Sequence, residues 1–260
     1  MAENTGETYK PVKTILVSQP KPTRSPYYDL EKKYDIQVDF RSFIHVERAT
    51  LREFRKQRVN IQDYTAIIFT SKTAIDHFFD ICEELRIKMS QSIKYFCMSE
   101  AIALYLQKFI VYRKRKVFFG KRTIHDLKDT LIKHKKKEKF LLPCSNLGKA
   151  SVQKFLTEND FDYQDCVFYK TVSSDLSDLE NVFYDVLVFF SPQGIDSLYE
   201  NFPDFKQKDT RIAVFGPQTK KAVEERGLEI NILVDKQTPS MTMALEKYIK
   251  LSNADLIVTK

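Results

Sequence analysis

Glycine is scarce in this sequence, with six residues in a chain of 260. The phosphate-binding motifs GxGxxG and GxxxxGK[ST] need closely spaced glycines, because glycine lets backbone amides approach a phosphate. Neither motif occurs in the chain. The sequence therefore provides no support for a nucleotide-binding function.

Cysteine and histidine are also few and scattered. The four cysteines form no CxxC pair: Cys82, Cys97, Cys144 and Cys166. The four histidines show no metal-ligand spacing and no Ser/His/Asp or Cys/His arrangement: His45, His77, His125 and His134. Zinc sites usually contain a close pair of cysteines, and disulfide scaffolds concentrate more cysteines in a shorter chain. We interpret the cysteines as buried thiols in a reducing compartment, and we expect the protein in the cytoplasm.

Long apolar runs are absent. No run approaches the roughly 20 residues that cross a bilayer, so we expect no membrane partner. The first residues, MAENTGETYKPVK, lack the apolar core of a secretory signal. We expect residues 1–11 to form a polar tail.

The chain has ample material for hydrophobic cores. Hydrophobic residues make up 43% and aromatic residues 13% of the sequence. A length of 260 residues suits two domains better than one.

Positive charge is concentrated in one half of the chain. Residues 45–168 hold 24 Lys or Arg against 15 Asp or Glu, whereas the remainder holds 18 against 20. This asymmetry favours an anionic partner. The basic runs Arg113–Lys116 and Lys133–Lys139 are compatible with nucleic-acid binding. We favour a solvated helix end and loop, because cations stabilise the end of a helix.

Two segments are nearly alike when the chain is shifted by 120 residues: AIIFTSKTAID at 66–76 and VLVFFSPQGID at 186–196. In each, an apolar run of strand length stops at a serine, Ser71 or Ser191, and a helical pattern follows. Such a run indicates a strand buried on both faces, as in a parallel sheet. Each serine is placed to cap its helix.

The similarity continues through two further units. The strand at 95–99 with its helix corresponds to 212–216 and the helix after it. The strand at 117–119, Thr123 and a helix at 124–134 correspond to a strand at 232–234, Thr238 and a helix at 239–251. Repeated strand-then-helix units imply right-handed crossovers and parallel sheets. We therefore predict an α/β fold with two flavodoxin-like or Rossmann-like parallel-sheet domains.

The fourth unit indicates that the two copies are circularly related. In the first copy it follows the others, as a strand at 140–145, a helix near 149–158 and a strand at 163–172. In the second copy the matching unit lies at the start of the chain, as a strand at 14–18, a helix near 26–34 and a strand at 36–46. The predicted domains are 1–40 with 174–260, and 47–167. They are joined by a two-stranded linker, about 36–46 and 165–173, which would allow hinge motion.

The ordered set of motifs resembles uroporphyrinogen-III synthases. The motifs are FTSKTA (69–74), LLPCSNLGKASVQKFL (141–156), CVFYKT (166–171), FFSPQG (189–194) and FGPQTKKAVEERGL (215–228). Each motif alone is only a strand–helix junction or a linker, whereas their order is specific. The resemblance extends from Ile15 to about Ile249.

The resemblance implies a lyase of tetrapyrrole and heme biosynthesis. Such an enzyme converts the linear hydroxymethylbilane into the macrocycle uroporphyrinogen III and inverts ring D. The implied steps are loss of the terminal hydroxyl, attack through a spiro intermediate and reclosure, so the task is largely one of positioning. The resemblance also implies an enzyme that uses no metal and no organic cofactor. We expect a monomer without a nucleic-acid partner.

The resemblance assigns Tyr169 as a proton donor to the departing hydroxyl. An unperturbed tyrosine, with a pKa of about 10, is protonated at neutral pH. The substrate carries eight carboxylates, and helix N-termini at the carboxyl ends of strands offer N–H groups to anions. The implied substrate-binding residues lie at such junctions: Ser71, Lys72, Ser145, Ser191, Pro192, Gln193, Gly216, Gln218 and Thr219. Facing domains would line a cleft with them. Ordinary caps and a packed strand tyrosine remain the alternative explanation.

The chain departs from the family pattern at two places. Ser99–Ala103 reads SEAIA where relatives usually have Gly followed by Thr-Ala, so Glu100 adds a negative charge and Ile102 replaces a hydroxyl. Gln19 stands where many relatives have Arg. These departures favour a second hypothesis, a non-catalytic or catalytically weakened cytosolic binder of an anionic small molecule on the same fold. A third hypothesis is a nucleic-acid-binding adaptor that uses residues 113–139.

Overall fold

The structure is a computed structural model that describes residues 10–147 and 150–254. Two predicted features lie partly outside the described residues. They are the polar tail, of which most is outside, and the helix near 149–158, of which the first residue is outside. Contacts divide the chain into two units. Unit 1 is Met1–His45 with Val172–Lys260, and unit 2 is Val46–Thr171.

Unit 1 contains a five-stranded sheet in the order β11-β10-β9-β1-β2, and every pairing in it is parallel. Strands and helices are numbered along the whole chain. Those of unit 1 are β1 (Thr14–Val17), α1 (Tyr27–Tyr34), β2 (Gln37–Phe40), β9 (Val186–Phe189), α7 (Pro192–Asn201), β10 (Arg211–Val214), α8 (Pro217–Glu225), β11 (Ile232–Leu233) and α9 (Met241–Ser252). β1 pairs with β9, with Ile15 opposite Val186. The start of the chain is therefore part of the same sheet as its last third.

The sheet of unit 1 lies between two layers of helices. Apolar side chains of α1 and α9 pack with Ile15 and Val186 on one face. Those of α7 and α8 pack with Leu16 and Leu187 on the other. All four residues of β9 are buried, as expected for a central parallel strand.

Unit 2 is built around a six-stranded sheet in the order β3-β8-β7-β4-β5-β6. Its elements are β3 (Ile44–Arg48), α2 (Leu51–Lys56), β4 (Ala66–Phe69), α3 (Lys72–Glu84), β5 (Lys94–Cys97), α4 (Glu100–Tyr105), β6 (Val117–Phe119), α5 (Lys128–His134), β7 (Phe140–Ser145), α6 (Ala150–Glu158) and β8 (Tyr163–Ser173). The pairings among β4, β5, β6, β7 and β8 are parallel. α3 and α4 pack on one face, and α5 and α6 on the other. β3 and β8 cross the boundary between the units and are neighbours in the sheet.

The two sheets have the same strand order once equivalent strands are matched. If β9, β10 and β11 are equated with β4, β5 and β6, and β1 and β2 with β7 and β8, the order of unit 1 matches five strands of unit 2, in which β3 is an additional edge strand. These parallel sheets with helices on both faces confirm the predicted α/β class.

One local prediction was wrong, and two helices predicted with approximate bounds are defined more closely. The strand predicted over 36–46 is two strands, β2 and β3, because Phe43 turns into the core of unit 1 and packs edge-on against Phe189 at 5.6 Å between ring centroids. The helix predicted over 124–134 starts with a 3₁₀ turn, Ile124–Leu127, closed by a capping box between Thr123 and Asp126. The helix predicted over 239–251 begins later, at Met241. Ser240 is its N-cap, and before it the carboxylate of Asp235 accepts hydrogen bonds from the amide and hydroxyl of Thr238.

Candidate functional site

Ser71 lies where β4 ends and α3 begins. Its backbone is extended, and its hydroxyl oxygen accepts a hydrogen bond from the amide of Ala74 at 3.0 Å. A serine in this position satisfies one of the first N–H groups of a helix, which have no partner within the helix. The predicted cap is therefore present at this junction.

Tyr169 and Ser145 are cross-strand partners in the same unit. An irregularity between Cys144 and Ser145 shifts the register of β7 against β8, so that Ser145 pairs with Tyr169. The amide of Asn146 donates to the carbonyl of Tyr169 at 3.1 Å, and the Asn146 side chain accepts from the amide of Thr171 at 2.9 Å. Ser145 and Tyr169 are both buried as a result.

The surroundings of Tyr169 keep its phenol protonated. Burial is the main influence and raises its pKa above the ordinary value of 10.0. The Ser71 side chain opposes this rise, and the neighbouring Cys144 thiol adds to it. At neutral pH the side chain is therefore a neutral phenol that can donate a proton.

His77 belongs to this cluster, although no sequence pattern indicated it. Its ring lies 5.4 Å from the Tyr169 ring between centroids, at an interplanar angle of 32°. A carboxylate oxygen of Asp80 lies 3.4 Å from its Nδ1, within ion-pair distance. The Thr70 hydroxyl is buried and has no hydrogen-bond partner among the described residues, which is unusual for a buried polar atom. His77 lies six residues after Ser71 and therefore on α3. Only the folded structure, in which β8 lies beside α3, shows that its ring faces Tyr169.

Lys72 follows Ser71 and lies on the outer surface of α3. Its ammonium is 5.3 Å from the centre of the Tyr105 ring, and that of Lys108 is 4.3 Å away. The Tyr105 hydroxyl donates to Asp76 at 2.7 Å. The two ammonium groups provide an exposed positive surface beside the junction.

In unit 1, the junctions that follow β9 and β10 are neighbours, because these strands pair in parallel with Phe189 opposite Val214. Ser191 and Gly216 are the N-caps of α7 and α8, and neither makes a side-chain capping hydrogen bond. A side-chain cap by Ser191 was expected and is not found. Both helices begin with proline and have no acidic residue in the first turn. Their first-turn amides are thus suited to an anion.

The remaining predicted residues of unit 1 differ in exposure. Gln218 is exposed and Gln193 half-buried, whereas the side chain of Thr219 is only 2% exposed. The aromatic residues that follow the two strands, Phe190 and Phe215, pack against each other at 6.0 Å between centroids. Phe215 is 43% exposed and provides an aromatic surface beside both helix N-termini.

The junction that departs from the family pattern carries a charge. Ser99 is the N-cap of α4 and makes no side-chain capping bond, and Glu100 is the exposed first residue of the helix. Burial raises the pKa of nearby Tyr112, and the negative charge of Glu100 adds to that effect.

All four cysteines are free and buried, as the wide spacing predicted. Burial raises the pKa of Cys82 to about 12 and that of Cys144 to about 11, so these thiols are protonated and unreactive at neutral pH. In residues 10–147 and 150–254, no group of three or more His, Cys, Asp or Glu could hold a metal ion. Over the same ranges, no helix combines the length and apolarity that crossing a membrane requires.

Comparisons with known proteins agree on one family. The family model HEM4, uroporphyrinogen-III synthase HemD, matches residues 27–243. The fold is similar to that of uroporphyrinogen-III synthetase from Helicobacter pylori, with a TM-score of 0.58, 19% identity, and coverage of 92% of this chain and 99% of that one. It is also similar to a mutant uroporphyrinogen III synthase from Thermus thermophilus, with a TM-score of 0.51, 13% identity, and coverage of 94% and 99%. A search of curated proteins found no match. Because the family model covers most of the sequence, the chain belongs to the uroporphyrinogen-III synthase family.

Proposed function

We propose that this protein is an active uroporphyrinogen-III synthase, a lyase that closes hydroxymethylbilane into uroporphyrinogen III with inversion of ring D. The observation that carries the proposal is the buried Tyr169 phenol, whose pKa is raised above its ordinary value, in a chain of this family. Loss of the terminal hydroxyl of the substrate needs a proton donor, and a phenol whose pKa lies above 10 remains protonated throughout the neutral range.

The proposed reaction begins when Tyr169 donates its proton to the departing hydroxyl, which leaves as water. The carbon left behind is electrophilic, and the pyrrole of ring D attacks it through the spiro intermediate. The spiro intermediate then opens at the other bridging bond of its spiro carbon, and reclosure joins ring D in the reversed orientation, while the proton that ring D loses returns to the Tyr169 phenolate. Pyrroles are electron-rich, so most of the reactivity belongs to the substrate, and the protein contributes orientation and one proton.

The substrate carboxylates need anchors, and we assign these to the strand–helix junctions. The first turns of α7 and α8 carry no capping side chain and no acid, so their N–H groups are suited to carboxylates. Phe215 would contact the face of a pyrrole ring. The assigned residues of these two turns are Ser191, Pro192, Gln193, Gly216, Gln218 and Thr219, with Lys72 and Ser145 as those of unit 2.

We further place the protein in the cytoplasm as a monomer that uses no cofactor. Four buried free thiols suit a reducing compartment.

An assay of the purified protein with hydroxymethylbilane tests the proposal. The III and I isomers of the product are separated and each is compared with a blank without protein. We expect isomer III to form well above the blank. Isomer I alone, at the rate of the blank, would overturn the proposal and favour a non-catalytic binder.

A further inference from the structure

Unit 2 contains a cavity of about 460 Å³ at the amino-terminal edge of its sheet. Ile93 and Lys116 directly precede the parallel strands β5 and β6, and both line the cavity. The second half of α3 contributes Phe79 to the lining. Lys72 and Ser145, by contrast, lie at the carboxyl ends of β4 and β7. The cavity is therefore at the opposite edge of the sheet from the substrate anchors assigned in this unit.

The floor of the cavity is apolar and is part of the buried core. Ile93, Tyr95 and Val117 are each at most 6% exposed and belong to the core on this face of the sheet. One wall is a stacked aromatic pair, in which the rings of Phe79 and Phe109 lie 4.7 Å apart between centroids at an angle of 8°. Apolar groups that enter such a space are removed from water, which favours their binding.

The rim of the cavity is basic and contains three cations: Lys88, Arg113 and Lys116. Arg113 is half-buried and donates to the side-chain oxygen of Gln91 at 2.7 Å. Lys116 is half-buried as well, and it donates to the Ser92 carbonyl at 2.9 Å. The lining also contains a carboxylate, that of Glu83. Among the described residues, however, no ion pair joins any of the three cations to an acid.

These cations decide which kind of apolar molecule the cavity suits. A neutral ligand would cover the half-buried Arg113 and Lys116 and remove water from them without neutralising their charge, which is unfavourable. An acidic group on the ligand would replace that water with charge-assisted hydrogen bonds, which are roughly twice as strong as neutral ones. A guanidinium has five N–H donors and an ammonium three, so both side chains retain donors beyond their bond to the protein.

We propose that this cavity binds a small amphipathic anion, an apolar chain or ring that carries one carboxylate or a similar acidic group. The apolar body lies on Ile93 and Val117, and the acid accepts hydrogen bonds from Arg113 and Lys116. The volume of the cavity is within the range of sites for small molecules. The inference depends neither on the synthase reaction nor on Tyr169, so it succeeds or fails separately from the proposed function.

Octanoate is a suitable probe, because it joins one carboxylate to a flexible apolar chain. Its binding is followed by NMR in protein labelled with ¹³C at the methionine methyl groups. Met89 lines the cavity, whereas Met98 follows β5 at its carboxyl end. The Met89 signal, identified by its loss in Met89→Leu, should shift in a saturable manner with a Kd of roughly 1 mM or below, while that of Met98 stays unchanged. An unchanged Met89 signal, or equal shifts of both signals, would overturn the proposal.

A second probe tests the charge of the ligand. Octylammonium has the same apolar chain with the opposite charge, and it should bind at least about tenfold more weakly than octanoate. Equal affinities of the two probes would show that the cavity selects only apolar surface, and the proposal of an anion site would be wrong.

Two basic residues of the same run provide a matched pair of variants. Arg113 lines the cavity, whereas Arg115 is exposed and does not line it. Arg113→Gln should weaken octanoate binding at least about tenfold, because a charged donor is lost, and Arg115→Gln should leave it unchanged. Equal losses in the two variants would indicate general attraction to a basic surface and contradict a specific site.

A third variant tests the site without removing a side chain that is bonded to the protein. Val111 is 79% exposed in the lining, so Val111→Asp adds a negative charge there without disturbing the core. It should weaken the binding of octanoate and strengthen that of octylammonium, because like charges repel and opposite charges attract. Urea denaturation confirms that each variant is folded. Unchanged binding of both probes in Val111→Asp would contradict the assigned site.

Discussion

Tyr169 is one of several buried tyrosines, and its surroundings distinguish it from the others. Burial raises the pKa of Tyr27, whose hydroxyl has no hydrogen-bond partner among the described residues. Tyr184 donates to the carboxylate of Asp39 at 2.9 Å, and its pKa is raised to about 12. A tyrosine held by a carboxylate cannot easily release its proton. Besides burial, the groups that shift the pKa of Tyr169 are instead Ser71 and Cys144, and neither is a carboxylate.

The raised pKa of Tyr169 predicts the pH dependence of the reaction. A donor is effective while it is protonated, and burial moves the pKa of this phenol above 10.0. The contribution of Tyr169 to kcat should therefore be constant from about pH 7 to pH 9 and disappear only as the pH rises through its pKa. The ratio of the rates of the unmodified protein and Tyr169→Phe, measured across this range, isolates that contribution. A ratio that falls with a midpoint below about pH 9 would show that another group is the donor.

Gly216 allows the helix N-terminus of α8 to be tested by a single methyl group. Its φ is +86°, and an added Cβ would have no heavy atom within 4 Å apart from its chain neighbours. Gly216→Ala should therefore act through backbone strain, at a cost of roughly 1–3 kcal/mol. Relief of the strain would turn the first-turn amides away from a carboxylate. We expect binding of uroporphyrin, measured by fluorescence, to weaken at least about tenfold.

Gly227 is the matched control for this change. It has a φ of +69° and open space around it, but it lies beyond the other end of α8. Gly227→Ala should lower stability and leave uroporphyrin binding unchanged. Equal loss of binding in both variants would mean that general strain, and not the helix N-terminus, is responsible.

At the scale of elements, the sequence predicted most strands because the central ones are short apolar runs between capping residues. It could not predict the break at Phe43, because the partner of that side chain, Phe189, is far away in the sequence. It also could not select His77, since α3 and β8 meet only in the folded sheet. The positions of Ser71 and Tyr169 were predicted from their motifs, whereas the placement of Tyr169 two strands from β4, the strand that Ser71 follows, is a property of the folded sheet.

The start of β1 is held to the end of α9 by a single amide side chain. Asn253 accepts from the amide of Val12 at 2.8 Å and donates to its carbonyl at 2.9 Å, and both residues are buried. Asn253→Ala would leave a buried N–H and C=O unpaired, so we expect the free energy of unfolding to fall by roughly 1–3 kcal/mol. Urea denaturation measures it. The change Asn181→Ala, at an exposed position, is the control and should alter stability by less than about 0.5 kcal/mol. Equal values for the two variants would contradict the structural role of Asn253.

For the whole molecule, the circular relation of the two sheets raises the question of whether each unit can fold alone. Unit 1 is interrupted by the insertion of unit 2 between His45 and Val172. The two ends of that interruption are close together within unit 1. The amide of Ser174 donates to the carbonyl of Phe43 at 2.9 Å, and the Ser174 hydroxyl is 3.0 Å from Nδ1 of His45. A two-residue turn can therefore join them.

We predict that unit 1 folds when residues 46–171 are replaced by Asn-Gly, a dipeptide suited to a tight turn. Its five strands and both helical layers belong to the remaining chain, and its cores contain only residues of that chain. The shortened protein should unfold cooperatively in urea and retain the circular dichroism of a mixed α/β domain. In the same background, Asn253→Ala should lower stability as it does in the full chain. A shortened protein without a cooperative transition would show that unit 1 needs unit 2 in order to fold, and that the circular relation describes the sheets but not independent domains.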